Sequence, residues 1–243
     1  PYAPHLEFWQ TFYAMKGVNL LGLHTGGGKI LGTDKIIKSI ESMKATCLVG
    51  MPGYLYHLLR TAKEQKNNFN NLNLVIFGGE RVPVGLRDKI KDFLKSMGSK
   101  APIVLSTYAF TEGKCAWVEC REESGYHLYP DFEFIEAVDK NNERVNEGEK
   151  GEIVYTSLDW RGSVFLRYKT GDVTKGLCYE KCSCGRTLPR IDAAIERSSE
   201  YKEFRLTKVK GGFINLNAFF PIMMSHKGIE EWQVEIRKKN NDP

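Results

Sequence analysis

The sequence predicts an α/β protein in which a mainly parallel sheet with flanking helices adjoins an antiparallel β subdomain. Three observations predict it. Short continuous apolar runs at residues 45–49, 74–77 and 102–106 read as buried strands. Between them lie segments whose apolar residues recur at helical spacing, the alternation expected of a parallel sheet covered by helices. Beyond about residue 115 the pattern changes. Stretches at 126–138 and 151–157 are β-rich and are separated by the polar turn 139–150, as in antiparallel structure.

Each element has a local reason. Gly22 to Gly32, with Gly26-Gly27-Gly28 inside, reads as a loop joining two apolar segments. Ile36, Ile37, Ile40 and Met43 then mark a helix over 34–43, with Asp34 placed to cap it. The strand at 45–49 stops at Met51-Pro52-Gly53, and a helical pattern resumes over 54–64. After the polar break 67–73, Leu74-Val75-Ile76-Phe77 runs into Gly78-Gly79-Glu80. An amphipathic helix over 86–97 precedes the strand at 102–106. From Arg197 the chain becomes highly charged and then reaches Gly211-Gly212, which predicts a hinge. The expected division is therefore one large domain over 1–196 and the start of a second over 197–243. No internal repeat is visible.

Composition excludes some classes of function. In 243 residues, 42% hydrophobic and 27% charged content is ordinary for a globular chain. No apolar run approaches the ~18 residues of a membrane span, and the N-terminal Pro1-Tyr2-Ala3-Pro4-His5 lacks the features of a signal peptide. A cytoplasmic location is expected. The net charge of +5 is dispersed among acidic residues rather than gathered into a nucleic-acid-binding stripe. Of the six cysteines, Cys120, Cys178, Cys182 and Cys184 lie in polar, turn-rich sequence, which in a cytosolic chain favours metal binding over disulfides.

Two loops after buried strands suit a ligand at the carboxyl ends of a sheet. At Gly78-Gly79-Glu80, adjacent glycines let a flat ring approach bare backbone. Tyr108-Ala109-Phe110-Thr111-Glu112 supplies an aromatic face, a hydroxyl and a carboxylate, the groups that suit a purine, a phosphate and Mg2+. A third element, Arg167-Tyr168-Lys169-Thr170-Gly171-Asp172, offers a carboxylate able to accept two hydrogen bonds from a ribose diol. Taken singly, the three read as a turn, a helix cap and a strand end. Their order and separation together point to a nucleotide.

These strings, with Cys182-Ser183-Cys184-Gly185-Arg186-Thr187-Leu188-Pro189-Arg190-Ile191, resemble adenylate-forming (AMP-binding) enzymes of the phenylacetate–CoA ligase-like branch. Lys210-Gly211 followed by Asn215 resembles that family's stretch beyond its hinge. The resemblance covers nearly the whole chain and implies a partial adenylate-forming fold. It implies that Tyr108 stacks on adenine, that the Gly78–Glu80 backbone lies on the other face, and that Asp172 binds the ribose. Thr111 would meet the α-phosphate and Glu112 would hold Mg2+ as the catalytic pair. Arg186, or with better placement Arg197, would approach the ribose or phosphate. The implied reaction joins a small carboxylic acid, an aryl acid such as phenylacetate, to CoA through an acyl-adenylate made from ATP. Another thiol or hydroxyl acceptor, or a non-catalytic nucleotide-binding module, are the alternatives; a homodimer is left open.

Departures accompany the matches. Ala109 replaces a glycine and Lys169 an arginine, and Glu196-Arg197-Ser198-Ser199-Glu200 lacks the expected hinge aspartate. The resemblance places a phosphate loop ahead of residue 1 and a lid lysine beyond Pro243. The chain is thus expected to be a fragment that does not complete the reaction alone. Cys120, His127, Cys182 and Cys184, three thiolates and one imidazole, would make a tetrahedral Zn2+ shell of structural type, since four protein ligands leave no open position; free thiols in loops are the alternative. Cys178 is an alternative ligand. His24 beside the glycine loop, and Tyr54 and Tyr56 after Pro52-Gly53, are either pocket-lining or packing residues.

Overall fold

The computed structural model describes residues 6–80, 82, 84–113, 115–159, 162–198, 206–209, 212–215, 222–223 and 229. The expected stretch at Lys210-Gly211 and the end of the chain lie outside the described residues.

Helix α1 (Leu6–Gly17) leads into an irregular segment through the glycine loop. Helix α2 (Thr33–Ser42) buries Ile36, Ile37 and Ile40, as its spacing predicts. Its cap differs from expectation. Gly32 holds the N-cap position at φ 86° with no side-chain cap, and Asp34 sits in the first turn. There the carboxylate faces the positive end of the helix and accepts a 2.9 Å hydrogen bond from Gln65 Nε2.

Strand β1 (Cys47–Gly50) is followed by α3 (Pro52–Glu64), β2 (Leu74–Phe77), α4 (Val84–Ser96) and β3 (Ile103–Ala109). Pro52 opens α3 where its missing N–H costs nothing. The four-stranded sheet runs β1-β2-β3-β4, with β4 at Ala116–Val118. β1–β2 and β2–β3 are parallel, so α3 and α4 are the crossovers, while β3–β4 is antiparallel. One core lies beneath the helices. Leu58, Leu59, Leu72, Ile90 and Leu94 are fully buried there with Val75 and Phe77, each worth about 1.5–3 kcal/mol of burial.

The β-rich part comprises two sheets. β11 (Glu196–Arg197), β8 (Tyr168–Thr174), β7 (Gly151–Ser157) and β6 (Glu133–Val138) are antiparallel neighbours in that order. The second sheet orders β5 (Tyr126–His127), β10 (Arg190–Ile191) and β9 (Leu177–Cys178). A separate core forms around Trp117, Tyr155, Ile153 and Ile191, with Tyr108 and Phe110 packed against it. A further hairpin pairs β12 (Leu206–Val209) with β13 (Gly212–Asn215).

Two local differences from the sequence reading shape the site. β3 continues to Ala109, so Tyr108 stands in a strand rather than in the loop after it. Gly171 and Asp172 likewise lie inside β8. The β7–β8 register steps from Glu152↔Val173 to Val154↔Lys169, which is a bulge at Thr170-Gly171-Asp172. Gly171 takes φ 73° there, a conformation glycine adopts without strain. Arg197, expected to begin a hinge, is paired with Asp172 in β11.

Candidate nucleotide and metal sites

The parallel register of β2 with β3 brings the Gly78-Gly79-Glu80 loop to the end of β3. Thr107 Oγ1 donates to the Phe77 carbonyl at 3.1 Å, and a Cβ built on Gly78 would lie 3.1 Å from that same hydroxyl oxygen. Gly79, at φ 82°, faces the Glu7 carboxylate of α1 at 3.1 Å from an added Cβ. Glu80 is exposed.

One residue further on, Tyr108 crosses from the first layer to the second. Its ring stacks on Trp117, its cross-strand partner, at 5.5 Å and 22°. Its hydroxyl donates to Asp172 Oδ2 at 2.9 Å. Arg197 Nε contacts Asp172 Oδ1 at 3.2 Å, and Arg197 Nη1 donates to the Thr170 carbonyl at 3.0 Å. Residues 108, 172 and 197 thus meet, and the bulge in β8 explains how, because it re-aims a side chain out of strict alternation. Burial lifts the Asp172 carboxyl above its ordinary value, against the pull of Tyr108 and Arg197. Burial and the Asp172 charge push the Tyr108 phenol up as well, so it stays a proton donor.

Thr111 and Glu112 occupy a short 3-10 turn, Thr111–Gly113, directly after β3 and Phe110. Thr111 is exposed, and Glu112 Oε1 accepts a 2.8 Å hydrogen bond from the Tyr168 hydroxyl. The bond fixes the orientation of the carboxylate, and oxygen ligands of this kind are what a hard cation such as Mg2+ takes. Tyr54 and His24 both border the glycine loop. A Cβ on Gly28 would lie 2.8 Å from Tyr54 Cε2, and His24 packs against Phe8 and Phe12 at 4.9 and 5.4 Å between ring centroids. Tyr56 belongs to the first core.

The cysteine–histidine set converges. The donor atoms of Cys120, His127, Cys182 and Cys184 all lie within 4.8 Å of one another. Cys120 Sγ and Cys182 Sγ are 3.8 Å apart, and Cys184 Sγ is 3.4 Å from His127 Nε2. A tetrahedral shell with ligands at ~2.0–2.3 Å has edges of ~3.3–3.8 Å, whereas a disulfide needs ~2.05 Å. The residues therefore fit zinc, and all six cysteines are free. Ser124 Oγ at 3.0 Å and the Cys184 N–H at 3.5 Å pull the Cys182 thiol down to about 5, the direction of a thiolate ligand. Cys178 is placed elsewhere, accepting from Arg190 Nη2 at 2.9 Å.

The turn that carries Cys120 to His127 depends on Gly125. It has φ 93°, and a Cβ there would sit 2.2 Å from the Ile191 carbonyl oxygen. Only glycine lets the turn close against β10.

Arg186 is not among the groups that meet at Asp172. It borders a cavity of about 350 Å3 with His127, Tyr129, Arg121, Val118 and Leu188. Sequence reasoning missed the residues that brace Tyr108. Trp117 is fully buried, and its Nε1 donates to Glu133 Oε1. The aromatic at position 117 was a visible signal, but nothing local marks Glu133 as its acceptor.

Strand-end loops meeting around a tyrosine and an aspartate accord with the comparisons to known proteins. The model of the family described as AMP-binding enzyme matches residues 4–168. The chain belongs to that family. Phenylacetate-coenzyme A ligase of Thermus thermophilus is 29% identical over 196 residues, covering 74% of this chain and 42% of that protein. The Pseudomonas putida enzyme of the same name is 28% identical over 174 residues, covering 69% and 37%. The chain thus spans less than half the length of these relatives. Among solved structures of the family's fold, 2-hydroxyisobutyryl-CoA ligase with 2-HIB-AMP and CoA superposes with a TM-score of 0.69 at 22% identity, over 93% of this chain and 47% of that one. The same ligase in its postadenylation state gives 0.63 at 26% identity, over 81% and 41%. The first of these superpositions takes in this chain's parallel α/β layer and the antiparallel sheets beside it. Among the described residues, no helix is long and apolar enough to cross a membrane.

Proposed function

We propose that this chain forms the nucleotide-binding core of an ATP-dependent acid:CoA ligase acting in the cytoplasm on a small carboxylic acid, an aryl acid such as phenylacetate. The observation that carries the reading is the 2.9 Å bond between Tyr108 and Asp172, residues that stand far apart in the chain. In this reading the Asp172 carboxylate exchanges its Tyr108 and Arg197 partners for the ribose hydroxyls. The exposed Gly79 backbone and the Tyr108 ring bound the adenine, and Glu80 lies at the rim of that cleft. Arg197, released from Asp172, supplies positive charge beside the sugar or phosphate.

The substrate carboxylate then attacks the α-phosphorus of ATP, forming the acyl-adenylate and releasing pyrophosphate. The CoA thiol attacks the acyl carbon next and AMP leaves. Thr111, exposed at the start of its turn, donates to the α-phosphate, where charge accumulates during transfer. Mg2+ at Glu112 would offset phosphate charge. Tyr168 orients the Glu112 carboxylate through its hydroxyl. Zn2+ at Cys120, His127, Cys182 and Cys184 would be structural, because four protein ligands leave no open position.

Calorimetric titration with AMP and ATP tests the nucleotide site. Asp172→Ala is expected to weaken binding about tenfold to a hundredfold, the worth of hydrogen bonds to a charged acceptor. Identical isotherms for wild type and variant would remove Asp172 from the site. Pyrophosphate release with aryl and fatty acids, with and without CoA, identifies the acid and the acceptor.

A further inference from the structure

The bulge that aims Asp172 is held by groups that the nucleotide reading leaves unused. Val154 is opposite Lys169 and Glu152 is opposite Val173, so Thr170, Gly171 and Asp172 together stand opposite Ile153 alone. Such a mismatch takes backbone groups out of the regular ladder. All three residues are buried, and a buried backbone N–H or carbonyl has to find a partner elsewhere.

Side chains supply those partners. The Gly171 N–H donates to Glu152 Oε1 at 3.2 Å. The Asp172 N–H donates to Thr170 Oγ1 at 3.1 Å, and that hydroxyl donates onward to the Ile153 carbonyl at 3.0 Å. On the other edge, the Gly171 carbonyl accepts from the Ser198 N–H at 2.8 Å and the Thr170 carbonyl from Arg197 Nη1. Arg197 is the group that leaves Asp172 when a nucleotide arrives. The bonds of Glu152 and Thr170 run to β7 instead and do not depend on it.

As a charge, Glu152 does not help Asp172. Burial lifts the Asp172 carboxyl, Tyr108 and Arg197 lower it, and the Glu152 charge adds to the lift. Lys169 Nζ, 3.2 Å from Glu152 Oε2, offsets that charge and leaves Oε1 to the Gly171 N–H. What Glu152 contributes is therefore geometry. Gly171, at φ 73°, has wide conformational freedom, and a fixed acceptor at its N–H selects one conformation. A carboxylate that accepts from two adjacent hydroxyls must lie within about 3 Å of both, so a small drift of this backbone breaks a contact.

We propose that Glu152 and Thr170 are positioning residues for sugar recognition: they lock the bulge so that the Asp172 carboxylate meets both ribose hydroxyls. The proposal rests on the ribose reading of Asp172 and extends it to two residues that touch no nucleotide.

Calorimetry with AMP and with its dideoxyribose analogue, which lacks both sugar hydroxyls, tests this on wild type, Asp172→Ala, Glu152→Ala, Glu152→Gln and Thr170→Val. The two ligands share base and phosphate. The ratio of their affinities thus reports the hydroxyl contacts and is unmoved by a general loss of binding or stability. Wild type is expected to prefer AMP by about tenfold or more, the worth of hydrogen bonds to a charged acceptor, and Asp172→Ala to lose the preference. Glu152→Ala and Thr170→Val are expected to cut it to about threefold or less while binding the dideoxy analogue as wild type does. Glu152→Gln keeps an oxygen for the Gly171 N–H and is expected to retain most of the preference. Thr170→Val, which keeps the side-chain shape, carries the comparison should Glu152→Ala not fold. A wild-type ratio in both Glu152→Ala and Thr170→Val, or a Glu152→Gln ratio as low as that of Glu152→Ala, would overturn the positioning role and leave Asp172 in place. A wild-type protein that binds both ligands alike would instead remove the ribose reading, so the two failures are distinguishable.

Discussion

Glu133 shows how much one buried carboxylate can organise. It is 3% exposed and receives Trp117 Nε1, the Tyr129 N–H at 3.0 Å and the Cys115 thiol at 3.1 Å. Burial lifts its carboxyl above the ordinary value, and the three donors offset only part of that lift. The folded chain therefore holds this proton at a pH where the unfolded chain has released it. Stability is present below the ordinary carboxylate range and falls as pH rises through the raised folded value. Glu133→Gln keeps Oε1 as an acceptor for Trp117 and Tyr129 but removes the titration. Within that window, wild type is expected to lose about 1.4 kcal/mol per pH unit relative to the variant. Urea unfolding over a pH series measures it, and parallel stability curves would contradict the assignment. This role was not legible in the sequence. A glutamate in a β-rich stretch looks solvent-facing by pattern, and only the fold puts an indole and a thiol against it. Tyr108 and Asp172 were legible as residues, yet their mutual bond was not, since 64 positions separate them.

At the scale of elements, the joint between the two layers is Arg87 of α4 with Glu119 after β4. Their side chains are 11% and 4% exposed and meet at 2.6 Å. Arg87 also reaches the Val104 carbonyl at 3.1 Å and Ser106 Oγ at 3.0 Å, and Tyr126 closes the network at 2.7 Å from that hydroxyl. Glu119→Met strands a guanidinium with its carboxylate gone, so a loss of about 3–5 kcal/mol is expected. Replacing both residues by methionine should cost clearly less than the two single changes added together. Equilibrium denaturation of the four proteins closes the cycle, and strict additivity would show that the pair is not coupled. The strands and helices themselves were readable. Residues 74–77 were placed to the residue, because a continuous apolar run against a glycine turn has little alternative. The ends of β3 and β8 were misread for one reason: Tyr108 and Asp172 continue strands through cross-strand pairing with Trp117 and Arg197, which local periodicity does not register.

For the molecule as a whole, the cluster at Cys120, His127, Cys182 and Cys184 ties the turn after β4 to the segment between β9 and β10. Small two-residue strands such as β5, β9 and β10 offer few ladder bonds, so the sheet they form leans on that tie. The protein as isolated is expected to carry about one zinc per chain. Stripping it with a chelator should lower the melting temperature by more than about 5 °C, since metal binding here is also folding free energy. Elemental analysis with thermal scans before and after chelation checks both; a metal-free protein with an unchanged melting temperature would leave the cluster as four unligated side chains. The sequence by itself determined the layer order, the loops at the strand ends and the identity of the four cluster residues, because each is written in local spacing and residue type. The tertiary structure alone decided which arginine serves Asp172, where Arg186 goes, what braces Tyr108 and how the layers are joined. Those choices depend on a bulge at Gly171 and on side chains meeting across sheets, and such long-range distances leave no mark on neighbouring residues.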